Sequence, residues 1–419
     1  MRYNVTIMEE QNINHLERIY LDYQASTPCT QPVVEAMLPY FNQIYGNPHA
    51  RSHQDGWSAN DALEIARLQV AKAINATEAQ EIIFTSGATE SNNLAIKGLG
   101  KFWQKTKNHI ITSKMEHKCM FEAIQSMERE GFTVTYLDVN EQGLLDAKAI
   151  EAAIQPNTLC VAISAVNHEI GTIQDMESIG KITRKHKVFF IVDAAQALGK
   201  IQIDVQKWQA DLVSLSAHKT YGPKGIGALF VRTKPNRIRI KPLQHGGGQE
   251  RGMRSGTTPV TLAVGFGKAC ELYANKEHID AELKRISELH TTFLDSIMKL
   301  DHIYLNGPWL NSGKRIPHNI NISVAGIEGE SLMMEMPNLS FSSGSACTSA
   351  NLEPSQVLRA IGVMGPKEDL LHSSVRISFG QGTSLKDIEQ ACVQFNSAIT
   401  TLREMSPVWE DIITNGVKY

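Results

Sequence analysis

The sequence predicts an α/β protein in which a mainly parallel sheet, covered by helices on both faces, is joined to a smaller α+β domain. Three observations lead there. Between about residues 56 and 233, short runs rich in Val, Ile and Phe recur with room for a helix between most neighbours. Those runs are continuously apolar rather than alternating, as strands buried on both faces require. The chain has 419 residues, 42% of them hydrophobic, which exceeds a single core and supplies apolar surface for more than one.

Taken in order, residues 56–75 place Trp57, Leu63, Ala66, Val70, Ala73 and Ile74 at helical spacing. Residues 81–85 read as a buried strand, and a helix opens at Gly87. Further strands are expected at 109–112, 133–137, 159–166, 188–192, 212–215 and 226–231, with amphipathic helices such as 178–187 fitted between most of them. A glycine-rich stretch from His245 to Gly256 breaks the rhythm and reads as an ordered functional loop or a tether. Helical patterns continue to about 299. A strand at 319–324, a helix near 328–336, a run of small residues at 340–350, a strand at 375–379 and a closing helix at 385–404 follow. The domains expected are a large one over 29–277 and a small one formed by 1–28 with 278–419. The basic string Arg232, Lys234, Arg237, Arg239 and Lys241 alternates with Ile238 and Ile240. It reads as a solvated edge strand protected by charge, in preference to a patch for an acidic partner.

Composition narrows the function classes. Forty-one basic against 44 acidic residues leave a net charge of −3, so no surface built wholly for nucleic acid or anionic membrane is expected. Six cysteines with no CxxC pair are too sparse for a disulfide scaffold and suit a reducing, cytoplasmic setting. The first twenty residues hold no apolar run and mix acids with bases, so neither a secretory signal nor an Arg-rich transit peptide is expected. No run approaches membrane-spanning length. The fourteen histidines show no HExxH-like spacing, and no metal site is expected.

Three constellations carry chemistry. Asp193 follows directly on an apolar strand in Val192-Asp193-Ala194-Ala195-Gln196; it suits a helix N-cap, or a carboxylate that pairs a pyridinium nitrogen. One β-α-β step later, a strand delivers Ser216, His218 and Lys219 into a Gly-Pro turn. Lys219 reads either as a surface charge or as a Schiff-base lysine. In Thr85-Ser86-Gly87-Ala88-Thr89-Glu90-Ser91-Asn92 a strand ends and a helix begins, which exposes main-chain N–H groups to an anion. Lysine, carboxylate and anion site are together what pyridoxal 5′-phosphate requires.

With these in hand, the chain resembles the cysteine desulfurases of the IscS/NifS type, within the class V, fold type I pyridoxal-phosphate enzymes. The resemblance runs from about 19 to 409. It rests on Leu21-Asp22-Tyr23, Gly46-Asn47-Pro48, the 85–90 segment, Glu116-His117-Lys118, Asp193-Ala194-Ala195-Gln196, Ser216-Ala217-His218-Lys219, the 251–257 segment Arg-Gly-Met-Arg-Ser-Gly-Thr, and Ser-Ser-Gly-Ser-Ala-Cys-Thr-Ser-Ala over 342–350. It implies that Lys219 binds the cofactor covalently and moves protons, Asp193 pairs the pyridine nitrogen, and His117 stacks on the ring and acts in acid–base transfer. It further implies that Gln196 bonds the phenolate oxygen, that Ala88 contacts the cofactor, and that Thr89, Ser216 and His218 hold the phosphate, with Thr257 arriving from the partner of a homodimer. Arg376 would grip the substrate carboxylate. Cys347 would attack the sulfur of L-cysteine, carry it as a persulfide to an iron–sulfur scaffold or a tRNA-thiolation acceptor, and serve as a transient iron–sulfur ligand. The other five cysteines read as inert apolar fillers. The long small-residue run after Cys347 resembles the IscS/NifS branch rather than the SufS branch.

Two departures stand out. His168, in Val166-Asn167-His168-Glu169-Ile170-Gly171, occupies a place where the family usually carries asparagine, whose side chain meets the phenolate oxygen and the substrate. The chain also ends soon after Ser406-Pro407-Val408-Trp409-Glu410, which leaves contact with a scaffold protein open. The rival expectations are a selenocysteine lyase or another class V enzyme, and, from a different class, a non-catalytic partner-binding scaffold.

Overall fold

The computed structural model describes residues 18–235, 237–343, 355–364 and 367–416. A short strand, β1 (Ile19–Tyr20), comes first. Seven strands then build the main sheet: β2 (Ile82–Thr85), β3 (His109–Ser113), β4 (Thr133–Leu137), β5 (Thr158–Ser164), β6 (Phe189–Asp193), β7 (Leu212–Ser216) and β8 (Gly227–Val231). Their spatial order is β2-β8-β7-β6-β5-β3-β4. The pairs β7–β6, β6–β5, β5–β3 and β3–β4 are parallel, whereas β8 runs antiparallel between β7 and β2. The reversal has a local cause: the link from β7 to β8 contains Gly222, Pro223 and Gly225 and is too short for a crossover helix. Every strand but β8 therefore points its carboxyl end to the same edge, where ligands of such sheets bind.

The two faces of the sheet are buried by different helices. Leu63 and Val70 of helix Gln54–Ala73, Ile179 of helix Met176–Lys185 and Phe266 of helix Val260–Tyr273 pack with Phe84, Val161 and Val213 on one face. Leu94 and Leu99 of helix Ala88–Trp103 and Ile124 and Met127 of helix Lys118–Arg129 pack with Ile83, Ile110 and Leu229 on the other. Burial on both faces is why these strands lack polar alternation.

A second sheet is built from β9 (Ile303–Leu305), β10 (Asn319–Val324), β12 (Ser342–Ser343) and β13 (Ser374–Ser378) in the antiparallel order β12-β13-β10-β9; β11 (Leu339–Ser340) instead pairs parallel with β1. Its core holds Phe293 and Ile297 of helix Lys276–Ile297 with Phe395 and Ile399 of helix Leu385–Glu404. The latter helix has the expected bounds, because Ser384 and Asp387 close a capping box at its start. Among the described residues no helix is long and apolar enough to cross a membrane.

The edge strand expected at 232–241 is absent among the described residues. β8 already has partners on both sides, and the chain leaves the sheet at Arg232. The Arg232 guanidinium turns inward and donates to the carbonyls of Val205 and Ala210 and to Gln206 Oε1 at 2.6–2.8 Å. Ile238 is buried against the cluster containing Leu94 and Leu99, so the Ile/charge alternation marks a chain laid over helix Ala88–Trp103.

Candidate active site

The carboxyl ends of five strands converge on a cavity of about 390 Å³. β2 contributes Gly87, Ala88 and Thr89, β3 leads to His117, β5 to Ser164 and His168, β6 to Asp193 and Gln196, and β7 to Ser216, His218 and Lys219. Residues that the sequence scatters over 130 positions thus face one space. Thr257 is exposed and does not line it. Cys347 lies outside the described residues.

Each side chain is held by local structure. Asp193 Oδ2 accepts from Asn92 Nδ2 at 2.7 Å and its Oδ1 from the Ala195 N–H at 2.9 Å, so the carboxylate is oriented at the strand end. Gly87 opens helix Ala88–Trp103 with φ 152°, a conformation that favours glycine. A Cβ on Gly227 would lie 2.4 Å from the Leu215 carbonyl and 2.7 Å from Gly87 Cα, so only a bare backbone fits beneath this turn. The first N–H groups of such a helix have no intrahelical partner, and Gly87, Ala88 and Thr89 at its start line the cavity. Asn167, not His168, is spent on the turn: its Oδ1 accepts from the Glu169 and Ile170 N–H groups and its Nδ2 donates to the Met115 carbonyl.

The N-terminal stretch after β1 packs against residues that line the cavity. The Gln24 carbonyl accepts from Lys219 Nζ and from Gln196 Nε2, each at 3.1 Å. Lys200 Nζ donates to Gln196 Oε1 at 2.8 Å, which turns the amide so that its NH₂ group faces Gln24 and the cavity. Ser26 Oγ lies 3.3 Å from His218 Nδ1, and Thr27 Oγ1 donates to the His218 carbonyl at 3.0 Å. Arg376, on β13 of the second sheet, reaches the same region. It donates to the His168 carbonyl at 3.0 Å, to Asp22 Oδ1 at 3.0 Å and to Ser342 Oγ at 3.2 Å, while its buried Nε–H has no hydrogen-bond partner among the described residues.

Burial dominates the electrostatics. It lowers the His117 pKa, with Asp193 opposing and Lys219 and Arg376 reinforcing the shift. It holds His168 well below the ordinary imidazole value, assisted by His117, Arg376 and Lys219. His218 is pushed down to about 4 by burial and by Lys219, Lys224 and Lys200. All three imidazoles are therefore neutral near pH 7. The rings of His117 and His168 meet edge to face at 4.8 Å, and the buried Nδ1 of His168 has no partner among the described residues. Glu116, adjoining the cavity wall, is raised to about 7 by burial, although Ser113 and Ser164 donate to it.

The arrangement fits pyridoxal 5′-phosphate. It offers an amine, an oriented carboxylate, a glycine-floored helix start for a phosphate, and an orphaned buried ring nitrogen on His168. Sequence reading gave no role to Asn92, Gln24 or Lys200, which hydrogen-bond Asp193, Lys219 and Gln196 directly. It also took Cys119 for an inert filler. Cys119 instead lines the cavity, with Sγ 3.0 Å from His117 Nδ1, because it occupies the first turn of the helix that His117 caps. The adjacency of Cys119 to the His117 motif was the signal available.

Known proteins share this layout. The family model of class V aminotransferases matches residues 19–391. The cysteine desulfurase IscS of Rickettsia bellii is 51% identical over 404 residues, 96% of each chain. A human cysteine desulfurase is 49% identical over 403 residues, 96% of this chain and 86% of that one. Among solved structures, a NifS-like protein has a TM-score of 0.83 at 32% identity, covering 92% of this chain and 99% of its own. A structure described as SspA in complex with cysteine has a TM-score of 0.75 at 38% identity, covering 86% and 98%.

Proposed function

The chain belongs to the class V aminotransferases and, within them, to the pyridoxal-phosphate-dependent cysteine desulfurases, and from that premise we propose how its residues divide the work. The observation that carries the reading is the convergence of Lys219, Asp193, His117 and His168 on one cavity, with Arg376 reaching in from the second sheet. Bound there, the cofactor supplies an electron sink that lets bonds at Cα of the substrate break. Lys219 would hold the cofactor through its aldehyde carbon and would carry the Cα proton. Asp193, held by Asn92, pairs the pyridine nitrogen, while Ala88 contacts the cofactor and Thr89, Ser216 and His218 take the phosphate. Gln196 and His168 donate toward the phenolate oxygen.

Arg376 binds the carboxylate of L-cysteine through the donors left to it, a task for which a planar guanidinium is better suited than an ammonium. Cys347, as thiolate, attacks the substrate sulfur; the Cβ–S bond breaks, its electron pair stays with carbon, and Cβ takes a proton. Alanine leaves and Cys347 keeps the sulfur as a persulfide for an iron–sulfur scaffold or a tRNA-thiolation acceptor. Residues 29–277 serve as the cofactor-binding domain, and 1–28 with 278–419 as the small domain that carries Cys347. The protein works as a homodimer in which Thr257 serves the neighbouring cavity. The exposed Phe41, Tyr45, Trp57 and Ile65 near that side support a covered face. Its setting is the reducing interior of the cell.

The test is direct. Purified protein with pyridoxal 5′-phosphate is expected to absorb in the visible, to lose that band on borohydride treatment, and to carry the reduced cofactor on Lys219 in peptide maps. With L-cysteine and a thiol reductant it is expected to release alanine and sulfide in equal amounts, and Cys347→Ser is expected to keep the visible band and release no sulfide. Label on another residue, or full sulfide release by Cys347→Ser, overturns the assignment.

A further inference from the structure

We propose that Cys119 is a positioning residue for His117: its main-chain N–H and its thiol both serve Nδ1 of that ring and hold it in the neutral tautomer whose proton sits on Nε2. The inference rests on the reading of His117 as a cavity residue that meets the cofactor.

The argument starts at the helix. His117 is the N-cap of Lys118–Arg129, a helix of 12 residues, and its Nδ1 accepts from the Cys119 N–H at 3.2 Å. Oxygen side chains do the same at other helix starts here, as Asp146, Asp175 and Ser384 do. A ring nitrogen that accepts a hydrogen bond carries no proton, so a neutral His117 bears its hydrogen on Nε2. The Cys119 sulfur lies 3.0 Å from the same bare Nδ1, and a thiol facing it is the donor. Nδ1 is thereby engaged twice, and Nε2–H is left for the cavity that His117 lines.

A second contact fixes the sulfur. Asn92 Nδ2 donates to Cys119 Sγ at 3.3 Å and to Asp193 Oδ2 at 2.7 Å, so one buried amide ties the carboxylate to the thiol. The competing arrangement moves the thiol proton to Nδ1, giving thiolate and imidazolium. An imidazolium presents N–H to the Cys119 N–H and loses the cap. The groups facing the ring are Asp193 at the end of β6, Lys219 beyond β7, Arg376 on β13, His168 beyond β5, and Cys119 itself. Of these Asp193 favours the cation, whereas Lys219, Arg376 and above all burial oppose it. Burial and Asp193 push the thiol up to about 12, which keeps the proton on sulfur. His117 is thus a fixed N–H donor at the cavity wall rather than an open base.

The test reads the ring itself. Holoenzyme labelled with ¹⁵N-histidine is followed by nitrogen NMR from pH 5 to 9, with His117→Asn assigning the resonances. The parent is expected to show a bare Nδ1 and a protonated Nε2 at pH 7. Cys119→Ser, which keeps both donors, is expected to match it. Cys119→Ala keeps only the main-chain donor, and its protonation midpoint is expected to rise by roughly half to one pH unit. An imidazolium or an Nδ1–H signal in the parent at pH 7, or an Ala titration that superimposes on the parent, overturns the proposal. The nitrogen shifts are read whether or not sulfur is transferred, so a failure of the desulfurase reading appears separately, as absent cofactor binding or turnover.

Discussion

Glu250 anchors the glycine-rich loop, and its removal tests how that loop is held. Its side chain is 2% exposed and meets Arg67, 4% exposed, in a two-pronged pair at 2.7 and 2.9 Å. It also accepts from the Phe84 N–H at 2.9 Å, while Arg67 donates to the Ile82 carbonyl at 2.7 Å, so the pair fastens the loop to β2 and to helix Gln54–Ala73. The loop is under strain: Glu250 and Arg251 adopt φ of 48° and 56°, which costs about 1–2 kcal/mol for each non-glycine residue. Glu250→Gln places an amide where two guanidinium donors point and leaves the buried Arg67 cation with only the half-exposed Glu64, 3.0 Å from its Nε, as a counter-charge. Breaking such a pair from one side costs about 3–5 kcal/mol. The strain then also favours release of the loop. Urea unfolding followed by tryptophan fluorescence is expected to shift to lower urea, and amide exchange over 245–258 is expected to speed up. The double variant Arg67→Met/Glu250→Met is expected to lose less than the sum of the single variants, since neither charge is then stranded. Additive losses, or a Gln variant within about 0.5 kcal/mol of the parent, refute the reasoning.

Three further outcomes follow from the site. Arg376→Lys cannot serve His168, Asp22 and Ser342 with the same fork, and its KM for L-cysteine is expected to rise about tenfold or more with the fold intact by circular dichroism; an unchanged KM removes Arg376 from substrate binding. His168→Ala is expected to shift the visible band and slow turnover roughly tenfold to hundredfold, and His168→Asn to restore both, as loss and recovery of a donor to a charged oxygen require. Equal spectra and rates in all three forms exclude His168 from the site. Glu116 has its folded-state pKa raised to about 7 from an unfolded value near 4.3, so the native state holds the extra proton between those values and stability declines as pH rises through that window. Glu116→Gln is expected to flatten the fall in urea midpoint between pH 5 and 7; an unchanged slope places the cause in another group, such as the buried Glu169, also raised to about 7.

What the amino-acid order determined by itself was local. The closing helix, expected from about 385 to near 404, was legible because its apolar period lies within one stretch of chain, and the Ser384–Asp387 box that fixes its start is local as well. Asp193, Lys219 and His117 were legible because each sits within a few residues of a strand end, in a motif specific enough to carry its neighbours. The direction of β8 and the path of 232–241 were decided by which edges of the sheet were already taken, a property of the assembled sheet. The residues that hold the site were decided in the same way. The Gln24 carbonyl reaches Lys219 across 195 positions, Asn92 reaches Asp193 across 101, and Arg67 reaches Glu250 across 183. Each is a polar group whose partner is chosen by burial, because a donor or acceptor shut away from water must find whichever group the fold brings near. Cys119 shows the boundary most closely: the chain placed it two residues from His117, and only the helix start turned its sulfur onto the ring.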